Sequence, residues 1–533
     1  MTPDHRLFLL RSRRQDGFTL IELLVVIVIL GVLSAIVVFS VRGIGDTGRK
    51  QAVAADAATL RTAEESFCAK HGHYGAIDDL INDKLLTDEP VYNMVATGEE
   101  NKCGQGANSS YTLYDTSPSE RAADAIPVGP GPADLAVDEK ANRVYVASST
   151  DNSVTVIDGK TDKPIGSPIN VSSAVSTPNR IAVNPNTGQV YVGGTGGVAI
   201  IDTANGNQVT RVGNFTTTVS GLAVSPENGD VYVGGGTSAV AYIAAGSSSA
   251  TTIPLPDAGR IVLGNVGMDF SFDAARHEVY FAKQGLGNVA SPNSGLYAVS
   301  TQTHVARAVA DFPTKSGCGA GSGFGHLMNT TVRGAIAVDP NRHRVYLLAK
   351  RCVEDPARPP GSVGAQVATT IVIDPSNGTS TPIDDLVGTG GTHISAVYNP
   401  AAGSVYLFSQ SPQANGQCPA YGGRIIRISG TASTKQALVC QQSPLTTGNP
   451  AHKAAVLKNF NRVFVAQRRV ENPDPKLASP GGLGVADGTT MLTQAPLGMP
   501  REFASLAVNN TTAKVYAVDS TNPYVEVFRT GPA

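Results

Sequence analysis

The chain is 533 residues long, more than one ordinary hydrophobic core organises, so several domains are expected. Its 41 basic residues nearly balance 43 acidic ones, and no basic run lies outside residues 1–17, which argues against nucleic acid as a partner. Abundant glycine (57) and proline (33), no tryptophan and a charged fraction of 16% suit many short strands joined by turns.

From Phe18 to Val41 there is one ionisable residue, Glu22, in twenty-four positions. At about 1.5 Å rise per residue such a helix crosses a hydrocarbon core of ~30 Å. Arg6, Arg11, Arg13 and Arg14 precede it, and the positive-inside rule keeps that end in the cytoplasm. A carboxylate near one end of an apolar helix is costly to bury unless it is paired. The basic leader, Gly17, Phe18, Glu22 and the apolar run together resemble the type IV prepilin signal, shared by type IV pilins and the pseudopilins of type II secretion. The resemblance implies a leader over 1–17, cut after Gly17 by a prepilin peptidase, and methylation of the new amino terminus on Phe18. It also implies that Glu22 neutralises a terminal ammonium as subunits join a filament, with other pilin or pseudopilin subunits as partners. The chain is then a single-pass protein of the inner membrane (18–41) before assembly, and lies at the cell surface or in the periplasm afterwards.

Residues 42–117 read as the second half of a pilin helix and a small head. Val53, Ala57, Leu60, Ala63 and Phe67 recur at three- and four-residue spacing on a polar background, an amphipathic stripe. The helix is expected to end near Gly72 and Tyr74, where pilin helices end in a glycine and an aromatic; His71 and His73 read as a helix-end pair rather than metal ligands. A short helix from Ile77 to Leu86 and a strand at Tyr111–Tyr114 follow, with a polar linker over 118–124. The six cysteines fall into local pairs, Cys68 with Cys103, Cys318 with Cys352 and Cys418 with Cys440, and none has zinc spacing. On a chain that crosses a membrane, such a set reads as disulfides formed outside the cytoplasm. The pairing rests on proximity alone.

From residue 125 to 533 the chain repeats. Eight segments share an apolar strand, a turn and a second strand built on Val-Tyr-Val, as in Leu135-Ala136-Val137 with Val144-Tyr145-Val146. In all eight the aromatic falls ten residues after the first strand's leading residue, and the repeats recur every 41 to 66 residues. A third strand and a weaker fourth follow each hairpin. That is the pattern of a β-propeller. The motif resembles the YVTN repeats, which more often build seven blades; the count here is eight, with Phe270 and Ala454 marking the least regular repeats. The expected fold is therefore α+β and multidomain, a pilin-like helix and small head followed by an all-β propeller. Ala125–Val128, left over before the first repeat, is expected to complete the last blade and close the ring.

The propeller carries no nucleophile elbow, HExxH, Walker loop or paired glutamate motif, and no cofactor or metal is expected. The docking tryptophans of pyrroloquinoline-quinone propellers are missing. Residues just before each innermost strand face the axial funnel: Asp134, Arg180, Asp269, Arg333, His393, His452 and Lys453 form a candidate ligand-binding rim, with a solvated polar funnel as the plainer alternative. Asp158, Asp202 and Asp374 read as turn caps, and insertions at 311–332, 350–367, 410–423 and 467–481 as a binding face or as simply tolerated length. The function expected is a pilin-like subunit displaying an extracytoplasmic propeller that binds an extracellular ligand; the rival is a propeller hydrolase or lactonase tethered by a pilin stem.

Overall fold

The computed structural model describes residues 51–88 (without 53 and 76), 93–97, 103 and 111–115, and most of a ring from 121 to 529. Within the ring it leaves out 236–238, 257–268, 284–292, 314–325, 328–335, 354–364, 390–391, 411–421, 430–434, 445–452, 468–481, 489–492, 498–502 and 520–521. Gly17, Phe18, Glu22, Cys318, Cys418, Arg333 and His452 lie outside the described residues, as does the apolar run 18–41. No helix among the described residues is long and apolar enough to cross a membrane.

Helix α1 (54–71) buries Ala57, Leu60, Ala63 and Phe67, the stripe that the spacing marked out. It ends at Gly72, whose φ of 78° costs little without a Cβ and lets its amide reach the Cys68 carbonyl at 2.8 Å. The Cys68–Cys103 disulfide ties the helix end to the head. His71 bonds Asp83 at 2.8 Å and His73 the Tyr74 carbonyl at 3.0 Å, so both rings serve the helix end. Helix α2 (Ile77–Asn82) is shorter than the span to Leu86, because the Leu85 and Leu86 amides both turn back to the Leu80 carbonyl. An antiparallel hairpin, Asn93–Thr97 with Tyr111–Asp115, completes the head.

The ring has eight blades. Their innermost strands are Pro132–Asp138, Ser176–Val183, Val219–Val224, Ser271–Asp273, Ile336–Asp339, Thr392–Asn399, Ala454–Leu457 and Phe503–Asn509, numbered as blades 1 to 8. The two weakest repeats, at Phe270 and Ala454, each form a blade.

The Val-Tyr-Val strand shows why the ring holds. Side chains alternate across a strand, so the central aromatic and its flanking valines face opposite neighbours. Tyr145 packs with Val190 and Ile201 of blade 2, while Val144 and Val146 pack with Tyr516 and Val527 of blade 8. The same holds around the circle, from Tyr191 against blade 3 to Phe464 against blade 8 and Tyr516 against blade 1. Each of these eight aromatics is at most 1% exposed. One buried aromatic per interface contributes roughly 2–3 kcal/mol. Burial also pushes the phenols up, Tyr191, Tyr346 and Tyr406 to about 12.

A polar ring lies at the turns after the innermost strands. Asp138, Asn184, Ser225, Asp273, Asp339, Asn399 and Asn509 are all buried, and each side chain accepts a backbone N–H two or three residues on. Blade 7 has Leu457 and a 3₁₀ turn instead. Four residues further, every blade has a residue at positive φ: Asn142, Gly188, Gly229, His277, His343, Gly403, Asn461 or Ala513. That turn hands its polar groups to the next blade, as in Asn184 Nδ2 to Gly229 O at 3.0 Å, His343 to Asp273 at 2.7 Å and Asn509 to Asn142 at 2.8 Å. Asn399 accepts the Ala401 amide at 3.0 Å and donates to Asn461 at 2.7 Å. Asn399→Ala is therefore expected to cost about 1–3 kcal/mol, read as a lower denaturation midpoint, because it strands buried partners.

Closure comes from outside the repeats. Arg121–Pro127 is the outermost strand of blade 8, with Ile126 opposite Val525 and Pro127 opposite Tyr524. It begins inside the span 118–124 expected as a linker. On the other side of the same junction, the Lys514 ammonium of blade 8 lies 2.8 and 2.7 Å from the two Asp162 oxygens and 2.7 Å from the Gly159 carbonyl of blade 1.

Candidate functional site: the funnel face

The first strands of neighbouring blades approach one another and line the axis. Each blade is antiparallel throughout, so its inner strand starts at one face of the ring and turns at the other. The starting face, here the funnel face, also receives every connection between second and third strands and between blades. All four long insertions therefore leave and rejoin described strands there.

The blades are not equally tall on that face. The second strand of blade 1 ends at Ser148, three residues past Tyr145, whereas that of blade 5 runs to Val353, seven past Tyr346. Its pairing with Ala365–Ile373 continues to Val353 opposite Ala365. Four more residues carry blade 5 roughly 13 Å higher. Blades 4 and 6 rise less, their third strands starting at Asn293 and Gly422, which are five residues from Ala298 opposite Tyr280 and Arg427 opposite Tyr406. Residues 350–353 and 365–367 of the span expected as loop at 350–367 are thus strand.

At the rim, inner strands carry a bulge just before the repeat's leading residue. The register skips Ala133, Ser220, Ile394 and Ala504, while blade 2 shifts between Gly193 and Thr195. An extra residue bends the strand and re-aims its neighbours. The residues before the leading positions are Asp134, Arg180, Gly221, Asp269, Ser395, Lys453 and Ser505 in blades 1, 2, 3, 4, 6, 7 and 8.

Of the rim residues that the spacing marked out, the structure brings Asp134 and Lys453 together. Asp134 is 4% exposed. Its Oδ1 accepts the Ser505 hydroxyl at 2.8 Å and lies 3.6 Å from Lys453 Nζ, and its Oδ2 accepts the Ile181 amide at 3.3 Å. One carboxylate of blade 1 thus joins blades 7, 8 and 2. Arg180 donates from Nε to the Ser220 carbonyl of blade 3 at 2.9 Å and from Nη1 to its neighbour Asn179 at 2.8 Å. Both make blade-to-blade bonds. Asp269 is half-buried at the start of blade 4, and His393 lies on the inner strand of blade 6 opposite Ser409. Ser505 and Ser395 went unnoticed in the sequence, though both occupy the same repeat position as Asp134.

Asp158, Asp202 and Asp374 cap turns on the opposite face. Their Oδ1 atoms accept the Lys160, Ala204 and Ser376 amides at 2.8, 3.1 and 2.9 Å. The Thr161 amide, at 2.9 Å, and the Lys160 amide hold the Asp158 carboxyl below its usual range, and bonds from the Ser376 side chain and amide do the same for Asp374. Cys352 and Cys440 lie on strands of blades 5 and 6, opposite Gln366 and Arg424.

The head meets the ring at the turn face. Arg121–Pro127 runs toward the funnel face, since Val128–Gly131 leads straight into the inner strand of blade 1; its Arg121 end lies at the other face. Tyr111–Asp115 joins the outermost strand of blade 7, Thr493–Leu497, in parallel through Tyr114 and Thr493. Thr493 is the turn-face end of that strand. The head's hairpin and blade 7 share one six-stranded sheet.

Comparison with known proteins agrees with the N-terminal motif. Residues 12–38 match the prokaryotic N-terminal methylation motif. The chain is similar to type II secretion system core protein G of Aeromonas hydrophila, 34% identical over 85 residues, which is 15% of this chain and 59% of that protein. The same protein of Klebsiella michiganensis is 37% identical over 65 residues (12% and 46%), and that of Pectobacterium carotovorum subsp. carotovorum 39% over 78 residues (15% and 49%). The chain thus spans about half the length of these relatives. Among solved structures, hydrazine synthase of Kuenenia stuttgartiensis is similar at a TM-score of 0.44 and 14% identity, covering 78% of this chain and 99% of that one. The dihydro-heme d1 dehydrogenase NirN is similar at 0.44 and 15%, covering 79% and 83%.

Proposed function

We propose that the chain is a pilin-like subunit, held in the inner membrane by residues 18–41 until assembly into a pilus or secretion pseudopilus, that displays its propeller outside the cytoplasm for binding. The observation that carries this reading is the methylation motif at 12–38 on the same chain as an eight-bladed ring. A head hairpin attached at the turn face supports it, because the tall edge of blade 5 then faces outward, toward an extracellular ligand. Prepilin peptidase and other pilin or pseudopilin subunits are the partners that this reading requires.

Processing tests it. The mature chain is expected to begin at Phe18 with a methylated amino group, as read by mass spectrometry of the purified protein's amino terminus. An intact Met1, or a cut beyond Val41, overturns the reading.

A further inference from the structure

Glu64 of α1 is fully buried in the head. Its Oε2 accepts the Gly75 amide at 3.1 Å, while its Oε1 is buried with no hydrogen-bond partner among the described residues. Gly75 belongs to the turn between α1 and α2 and sits so close to α1 that a Cβ there would lie 2.9 Å from the Phe67 ring. The Glu64 carboxyl therefore bonds the turn's backbone to the helix, beside the Phe67 ring. The groups that face it are Glu65 on its own helix, Tyr74 on the turn and Asp79 on α2. Tyr74 donates its hydroxyl to Glu65 at 3.3 Å. Both acidic neighbours repel a second negative charge.

We propose that Glu64 is a proton-operated latch: carrying a proton, it holds the 72–75 turn against α1, and on losing it the turn and α2 loosen from the helix that leads to the membrane stem. Nothing in the pilin-like reading requires this, and the two are tested separately. Burial, with smaller contributions from Glu65 and Asp79, raises the Glu64 carboxyl from 4.5 to about 7 against the opposing Gly75 bond. The sign follows from linkage. With the turn open, the carboxyl ionises near its ordinary value, so opening becomes easier as pH rises from about 4.5 to 7 and levels off above that. Each pH unit in that window is a factor of about ten.

Hydrogen exchange of the full-length chain in detergent reads this at the Gly75 amide itself. After correction for intrinsic exchange, protection there is expected to fall roughly fiftyfold between pH 5 and 8, while core amides such as that of Tyr191 keep theirs. Glu64→Gln keeps an acceptor for Gly75 but has no proton to lose, and is expected to abolish the pH dependence. Protection at Gly75 that does not change with pH, or a loss shared equally by the blade amides, overturns the proposal. So does a Glu64→Gln chain that keeps the wild-type profile. Should that variant fail to fold, the wild-type comparison of Gly75 with Tyr191 still decides.

Discussion

Lys514→Ala is expected to destabilise the ring by about 3–5 kcal/mol and to open it at the junction of blades 8 and 1. The lysine and its partner Asp162 are 4% and 9% exposed. Its ammonium contacts both Asp162 oxygens and the Gly159 carbonyl, and the Tyr516 hydroxyl adds a bond to Asp162 at 3.2 Å. Removing the cation alone leaves a buried carboxylate whose remaining bonds do not cancel its charge. The penalty is thus the stranded anion more than the lost contact. A double variant, Lys514→Met with Asp162→Leu, removes both charges and is expected to recover most of the loss. Denaturation midpoints for the three proteins, with limited proteolysis near residues 116–131, provide the check. A Lys514→Ala protein as stable as wild type would show that the pair adds nothing to closure.

Glu22→Val is expected to leave membrane insertion and the propeller intact and to cut entry into filaments at least tenfold. The substitution removes the sole ionisable side chain of residues 18–41 and makes that stretch more apolar, so insertion is not impaired. The pilin-like reading assigns Glu22 to a terminal ammonium, and in a low-dielectric surrounding such a pair is worth more than the roughly 1.4 kcal/mol that a tenfold change requires. Sheared filament and membrane fractions, compared for wild type and variant, measure it. Equal incorporation would leave the stem as an anchor only, and the tethered-enzyme alternative would then gain ground.

Blade number and blade-to-blade packing were legible because both are local. The ten-residue step from Leu135 to Tyr145 sets one hairpin, and period-two alternation then commits each tyrosine to one neighbour and each valine to the other. Even the buried turn residues left a trace: Asp138, Asn184, Ser225, Asp273, Asp339, Asn399 and Asn509 all stand three residues after a leading position. The rim was half legible. Repeat position marked out Asp134 and Lys453, but not that Asp134 is fully committed to three other blades.

The chain by itself determined the eight-fold repeat, the local disulfide of the head and the stripe of α1, since each depends on residues near one another in sequence. Only the tertiary structure decided where the head joins the ring, how tall blade 5 stands, and which charges are buried. Lys514 meets Asp162 across 352 residues, and Tyr114 meets Thr493 across most of the ring. Such partners share no spacing or motif; they meet because closing a circle brings the first blade beside the last. Glu64 reads as one more polar residue on a helix until Gly75 folds over it, and burial then changes its chemistry.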